Sequence, residues 1–317
     1  MDLSGKKILV TGAAGFIGST LVDKLLAKDC NVVGFDNFNQ YYLGKEDNIA
    51  SAMTKSNFFL IRDDILNYDV LVKAMNGVEI VFHLAAQPGV RYSLENPILT
   101  NKINTEGTLN VLEAARKCNV KRLINASSSS VYGNPVYTPI DENHPLNPLS
   151  IYGVTKLTTE KYCIIYSKMH NQYIVSLRYH SVYGPRGRPD MAVYKWIDSL
   201  FKNTPITIFG DGSQTRDMTF VDDIVDGTIK AAEVDGIKGE IFNLASGRSV
   251  TMTYILELMI KLTSLNTKIE YENFRSDDAK DTYGNIEKAK RILEYDPQTN
   301  IETGLRITVD WYKKKIN

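Results

Sequence analysis

Residues 11–18 read Thr-Gly-Ala-Ala-Gly-Phe-Ile-Gly, and no other stretch restricts the fold as sharply. The apolar run Lys6–Thr11 (KKILVT) leads into it, and Phe16–Lys28 follows with apolar positions at Ile17, Leu21, Leu25 and Leu26. A strand passing into a helix through three spaced glycines allows a tight turn, a close backbone approach to a diphosphate, and close packing of helix on strand. The free N–H groups and partial positive charge at the helix N-terminus suit an anion there. The next expected strand, Asn31–Asp36, ends on an acid 18 residues after Gly18. A carboxylate at that place accepts hydrogen bonds from an adenosine ribose and repels a 2′-phosphate. Asn37, Phe38 and Asn39 supply no arginine for such a phosphate. The expected ligand is therefore a dinucleotide, NAD rather than NADP.

The rest of the first half repeats the alternation of apolar runs with amphipathic stretches, the pattern of β-α-β units on a parallel sheet. Strands are expected at Phe58–Arg62, Glu79–Leu84, Arg122–Ala126 and Tyr173–Tyr179, and long helices at Ile98–Cys118 and Ser150–Met169. After residue 180 the pattern changes to short strands, such as Ile206–Phe209 and Met218–Val221, among helices and loops. Glu240–Leu244 again reads as a buried strand, which implies that the first unit recruits a late segment. The expected architecture is α/β, a doubly wound parallel sheet with a smaller, interleaved C-terminal part. Residues 1–179, with about 221–247, would form the dinucleotide-binding domain, and 180–317 mainly the substrate domain.

Composition removes several alternatives. Across 317 residues, 37 Lys and Arg balance 37 Asp and Glu, so no global charge draws the chain to nucleic acid or an anionic membrane. No apolar run approaches the ~20 residues of a membrane helix. Cys30, Cys118 and Cys163 are widely spaced and odd in number, which argues against a disulfide framework and for a reducing cytoplasm. His83, His144, His170 and His180 form no chelating pair, so no metal is expected.

Tyr152-Gly-Val-Thr-Lys156 places a phenol and an ammonium one helical turn apart. A nearby cation favours phenolate over phenol and makes Tyr152 a general acid/base. Tyr41 and Lys45 share that spacing, but their surroundings read as a solvated loop. Tyr152 differs because it follows a strand that ends in Ala126-Ser127-Ser128-Ser129-Ser130-Val131-Tyr132-Gly133. Ligands of open α/β sheets bind at the carboxyl ends of strands, where these hydroxyls stand.

Taken together, the sequence resembles the extended short-chain dehydrogenase/reductase family, the Rossmann-fold nucleotide-sugar epimerases and dehydratases. The resemblance runs through TGAAGFIGS (11–19), Asp63-Asp64-Ile65, HLAAQ (83–87), Asn104-x-x-Gly107-Thr108, SSSSVYG (127–133), the Tyr152/Lys156 pair, LRYHSVYGP (177–185), Arg216-Asp217, Val221-Asp222-Asp223 and Phe242-Asn243. It implies that Gly12, Ala14, Gly15, Phe16, Ile17 and Gly18 cradle NAD, with Asp36 and Asn37 at its ribose and Asp64 and Ile65 at its adenine. Leu84, Ala85, Ala86, Gln87, Asn104 and Ser127 would line the cofactor, Lys156 would hold the nicotinamide ribose, and Tyr179 and His180 would lie near the nicotinamide. Ser181 would contact the sugar nucleotide.

Within the family, dehydratases and UDP-xylose-forming decarboxylases carry acids just before the VYG motif, where this chain has Ser129 and Ser130, with Ser128 at the usual Ser/Thr position. Epimerisation at carbon 4 is thus implied, with a reductase as the alternative. Tyr152, assisted by Ser128, would take the 4-hydroxyl proton while carbon 4 gives hydride to NAD. The flat 4-keto sugar would then turn, and hydride would return to its other face. A non-catalytic regulator would need a broken constellation, and this one is intact.

The segments 87–97 and Arg186-Gly-Arg188-Pro-Asp190-Met191-Ala192 are similar to UDP-glucuronate 4-epimerases. The likeness puts Val90, Arg91, Met191, Ser128, Ser129 and Ser130 at the sugar nucleotide and Arg188 at the sugar carboxylate, which a guanidinium grips with two parallel bonds. The competing reading pairs Arg188 with an acid such as Asp190. Arg216 and Arg275 match phosphate-binding positions, and Asp278 the uridine ribose. Thr282 stands where narrow pockets carry Tyr, so UDP-N-acetylglucosamine or an N-acetylated uronate also fits. A homodimer, built from the long helices at 98–118 and 150–169, is implied by the same resemblance.

Overall fold

The computed structural model describes residues 1–274 and 279–316. Its centre is a seven-stranded, wholly parallel sheet. In chain order the first six strands are β1 (Lys7–Thr11), β2 (Asn31–Asp36), β3 (Phe58–Arg62), β4 (Ile80–His83), β5 (Arg122–Ser128) and β6 (Tyr173–Tyr179). The spatial order is Ile241–Leu244, β6, β5, β4, β1, β2, β3. From β1 the chain winds one way through β2 and β3, then returns to the other flank of β1 with β4 and winds outward. The reversal opens a crevice at the carboxyl ends of β1 and β4, where doubly wound sheets bind ligands.

Period-two alternation splits each strand between two apolar layers. Ile8, Val10, Val32, Ile80, Phe82 and Val175 face one layer, with the helix Phe16–Ala27 and much of the C-terminal half. Leu9, Val33, Phe35, Val81, Leu123 and Ile174 face the other, with the helices Tyr68–Ala74 and Gly107–Lys117. Because both faces are covered, the strands carry near-continuous apolar runs.

Several boundaries move from the sequence reading, each for a local reason. The helix expected at 98–118 starts at Pro97, whose fixed φ suits a first turn, and widens into a π turn over Lys102–Glu106 before resuming at Gly107. β5 continues past Ala126 to Ser128, because Ser127 and Ser128 pair with Arg178 and Tyr179 of β6. The strand expected at Met218–Val221 shrinks to Thr219–Phe220, and Val221 opens a helix that runs to Glu233. Asp222 and Asp223 in its first turn complement the helix dipole, a start signal that the apolar run obscured.

The strand Ile241–Leu244 joins the sheet beside β6, as the late apolar segment implied. Beyond the sheet, three small two-stranded ladders and the helices Ala192–Lys202, Met252–Thr263, Glu287–Leu293 and Ile301–Ile316 build a second body against its carboxyl edge.

Candidate active site

At the end of β1, Gly12 has φ +71°, and a Cβ there would fall 2.8 Å from the backbone nitrogen of Ala85. Gly18 is as constrained, since a Cβ on it would run into the Gly12 carbonyl oxygen. The loop therefore lies tight against the backbone that follows β4, and the start of the helix Phe16–Ala27 tight against the loop. Asp36 braces it from β2: Oδ2 accepts the Ala14 N–H at 3.0 Å and Oδ1 the Phe38 N–H at 2.8 Å. Asp36 also lines the cleft. This bare backbone cradle and its acid fit a dinucleotide: the helix N-terminus would take the diphosphate and Asp36 the ribose. At the adenine end, Asn37 donates to Asp64 Oδ2 at 2.7 Å, and Leu66 N–H fixes Oδ1 at 2.9 Å.

The structure corrects the reading of Tyr41 and Lys45 as a solvated loop. Residues 39–45 form a strap along the cleft that Tyr41, Tyr42 and Lys45 help to line. Lys45 is 9% exposed, and its ammonium donates to Asn39 O at 3.0 Å and to Asn39 Oδ1 at 2.6 Å. Tyr41 donates to Asp190 Oδ2 at 3.1 Å, reaching across to the second body. Sequence spacing held no sign of these contacts, which depend on how the chain folds back.

Tyr152 and Lys156 lie on the helix Ile151–Met169, whose first N–H groups are capped by Ser150 Oγ, through Gly153 N, and by Ser93 Oγ, through Tyr152 N. Ser93, fully buried, escaped the sequence reading. Lys156 Nζ donates to Ala126 O at 2.7 Å and sits 5.9 Å from the centroid of the Tyr152 ring. Burial pushes the Lys156 ammonium down to about 8. Burial also raises the Tyr152 phenol above its usual range, against the Arg188 guanidinium and a hydrogen bond with Ser128. The cation that favours the phenolate most is thus Arg188, where the sequence suggested Lys156. Ser128 is held in turn by Ser130, whose N–H and hydroxyl both lie 3.1 Å from its Oγ.

Beneath this group lies a buried ion pair. Arg178 donates to both oxygens of Glu160, at 2.9 and 2.8 Å, and Ser127 donates to Oε1 at 2.5 Å. Arg178 also donates to the Tyr132 hydroxyl at 2.9 Å, which in turn donates to Asn243 Oδ1 at 2.7 Å. Breaking such a pair costs several kcal/mol, so it fixes β5, β6 and the Tyr152 helix in one register.

Gly12, Gly15, Phe16, Ile17, Gly18, Asp36, Asn37, Asp64, Ile65, Leu84, Ala85, Ala86, Ser127, Tyr152, Lys156, Tyr179 and Arg188 all line the same cleft. Four expected cofactor residues do not. Ala14 gives its N–H to Asp36, and Asn104 ties the Gln87 backbone to Thr155 through bonds of 2.7, 3.2 and 3.0 Å. His180 is fully buried behind Tyr179, against Gly284.

A second cleft opens next to the first and shares Tyr41. Val90, Arg91, Ser181, Met191 and Arg216 line it, with Phe209 and Trp196. Arg216 Nη1 donates to Thr215 O at 2.9 Å and Lys280 O at 2.8 Å. Ser128, at the end of β5, and Ser129 and Ser130, in the turn after it, are half-buried and line neither cleft; of the three, Ser128 meets Tyr152. Thr282 is also outside both, since its hydroxyl accepts the Asp217 N–H at 3.2 Å. Arg275 and Asp278 lie outside the described residues.

The family model of the NAD dependent epimerase/dehydratase family matches residues 8–245. The UDP-glucuronate 4-epimerase of Thermodesulfobacterium geofontis is 39% identical over 316 residues, covering 97% of this chain and 96% of its own. Among solved structures, the UDP-glucuronic acid 4-epimerase from Bacillus cereus in complex with UDP-glucuronic acid and NAD superposes with a TM-score of 0.92 at 39% identity, covering 98% and 99% of the two chains. The UDP-N-acetylglucosamine 4-epimerase from Methanobrevibacter ruminantium M1, in complex with UDP-N-acetylmuramic acid, superposes equally well, with a TM-score of 0.92 at 30% identity over 98% and 99%. With the glycine cradle, the acid at the end of β2 and the tyrosine helix in one crevice, these likenesses establish that the chain belongs to the NAD dependent epimerase/dehydratase family.

Proposed function

We propose that the protein is an NAD-dependent UDP-sugar 4-epimerase whose preferred substrate is UDP-glucuronate. One observation carries the reading: Tyr152, Lys156 and Arg188 line the cleft of the glycine cradle, with Ser128, at the carboxyl end of β5, beside Tyr152. When bound, NAD supplies an acceptor for the hydride of sugar carbon 4 and later its donor. The chain supplies the rest. Tyr152, whose phenolate Arg188 and Ser128 favour against the effect of burial, takes the 4-hydroxyl proton as the 4-keto sugar forms and returns it after the sugar has turned. Ser128 orients that hydroxyl, and Lys156, fixed by Ala126 O, holds the nicotinamide ribose. The second cleft takes the nucleotide, with Arg91 and Arg216 toward its phosphates.

The two sugar readings rest on different observations. Arg188 stands beside Tyr152, where the carboxylate at carbon 6 would come, which supports UDP-glucuronate. Its existing bonds to Asp190 support a neutral sugar such as UDP-N-acetylglucosamine. A panel of UDP-glucuronate, UDP-N-acetylglucosamine and UDP-glucose, read by product separation without added reductant, decides the matter. UDP-galacturonate formed fastest is the expected result, and no conversion of any UDP-sugar would refute the function.

The cofactor-binding domain comprises 1–179 with about 221–247, and 180–317 is mainly the sugar-nucleotide domain. The protein works in the cytoplasm as a homodimer. Support for the dimer comes from apolar side chains left exposed on the packed segments 90–101 and 151–169: Ile98 at 81%, with Leu94, Leu99, Val154 and Ile165.

A further inference from the structure

Tyr42 sits in the middle of the strap that follows β2. Its hydroxyl oxygen is sealed from solvent; the Phe16 backbone N–H approaches it, but the hydroxyl proton has no acceptor in the protein. A buried donor without an acceptor is rare and calls for a ligand that completes it. The oxygen points toward the glycine cradle, and a Cβ on Gly15, the residue before the helix Phe16–Ala27, would lie 3.8 Å from it. Burial pushes the phenol up to about 12, so it is a neutral donor. The strap is anchored on both sides of it. Tyr41 is bonded to Asp190 at 3.1 Å, and Lys45, 5.2 Å from the Tyr42 ring centroid, is bonded to Asn39 at 2.6 Å. The hydroxyl is thus held in place while left unsatisfied.

We propose that Tyr42 donates a hydrogen bond to the dinucleotide's diphosphate from the strap side, opposite the N–H groups of the helix N-terminus. The diphosphate is then gripped between two elements, and leaving requires the strap to lift. This rests on the NAD reading above and adds a residue to it.

The test is the exchange of bound NAD for isotopically labelled NAD in the purified holoprotein, followed by mass spectrometry of the released cofactor. Tyr42→Phe removes one oxygen and keeps the ring. The expected result is exchange at least fivefold faster than wild type, with an unchanged circular dichroism spectrum. Exchange within twofold of wild type overturns the proposal, the hydroxyl then serving a trapped water only. Failure of Tyr42→Phe to fold overturns it too, because the hydroxyl would then serve the fold and not the dinucleotide. A wild-type protein that neither carries nor takes up NAD removes the cofactor reading itself, and this proposal with it.

Discussion

Arg188 meets Asp190 through two parallel hydrogen bonds, Nε to Oδ1 at 2.9 Å and Nη2 to Oδ2 at 3.0 Å. Burial opposes ionisation of the acid, but the guanidinium outweighs it and holds Asp190 below the usual carboxylate range. The fork that would hold a sugar carboxylate is therefore already engaged by a carboxylate of the protein. An incoming uronate has to share or displace it, whereas a neutral sugar meets no such competition. Arg188→Ala should weaken transition-state binding of UDP-glucuronate by about 2–4 kcal/mol more than that of uncharged UDP-sugars, which lose only its effect on Tyr152. Asp190→Asn should lower KM for UDP-glucuronate alone. Equal losses on charged and neutral sugars in Arg188→Ala would assign the arginine to Tyr152 and its loop, not to the sugar carboxylate.

Tyr152→Phe keeps the ring packing and removes the titratable hydroxyl. Turnover should fall by about two or more orders of magnitude with NAD still bound. Near-normal rates, measured on protein of confirmed cofactor content, would reject Tyr152 as the acid/base.

Denaturing the purified protein should release NAD or NADH. The acid that selects it also braces the loop, so Asp36→Ala should both weaken NAD retention and leave the Ala14 and Phe38 N–H groups unpaired, at about 1–3 kcal/mol of stability. Recovery of mainly NADP(H) from wild type would contradict the assignment.

His83 at the end of β4 is fixed between Thr11 Oγ1 at 2.8 Å and Thr108 Oγ1 at 3.0 Å. Burial, then Lys156, depress its pKa to about 3. Between pH 6.5 and 3 the unfolded chain binds a proton here that the folded chain refuses, so stability falls as the pH falls. The loss should reach about 2 kcal/mol by pH 5 relative to pH 8. Urea unfolding at the two pH values measures it, and His83→Gln should remove most of the difference that this residue causes.

Light scattering should return the mass of two chains. Ile98→Asp, on an exposed position of the segment proposed as the dimer face, should shift that mass toward one chain without loss of secondary structure. A wild-type monomer at working concentration would count against the homodimer.

Local rules made the sheet and the cradle legible. The strand-glycine-helix unit at 7–27 and the apolar runs of β2 to β6 each declare themselves within a few residues, because period and turn chemistry are short-range. Tyr152 and Lys156 were readable for the same reason, since a helix brings positions four apart together. Contacts that span the chain were not. Tyr41 meets Asp190 across 149 positions, and no spacing encodes that. The Thr282 hydroxyl accepts a backbone N–H from Asp217, a partner visible only once the chain has folded back.

The strand Ile241–Leu244 closes the sheet against β6, with the Ser176 N–H donating to Glu240 O and the His180 N–H to Leu244 O. A polypeptide that stopped at residue 180 would leave Ser176–Tyr179 as a bare sheet edge, open to pairing with any other chain. The first half is therefore not a portable module. On the ribosome, β6 must wait for more than sixty further residues before its outer neighbour emerges, and throughout that interval the nascent chain is at its most prone to aggregate.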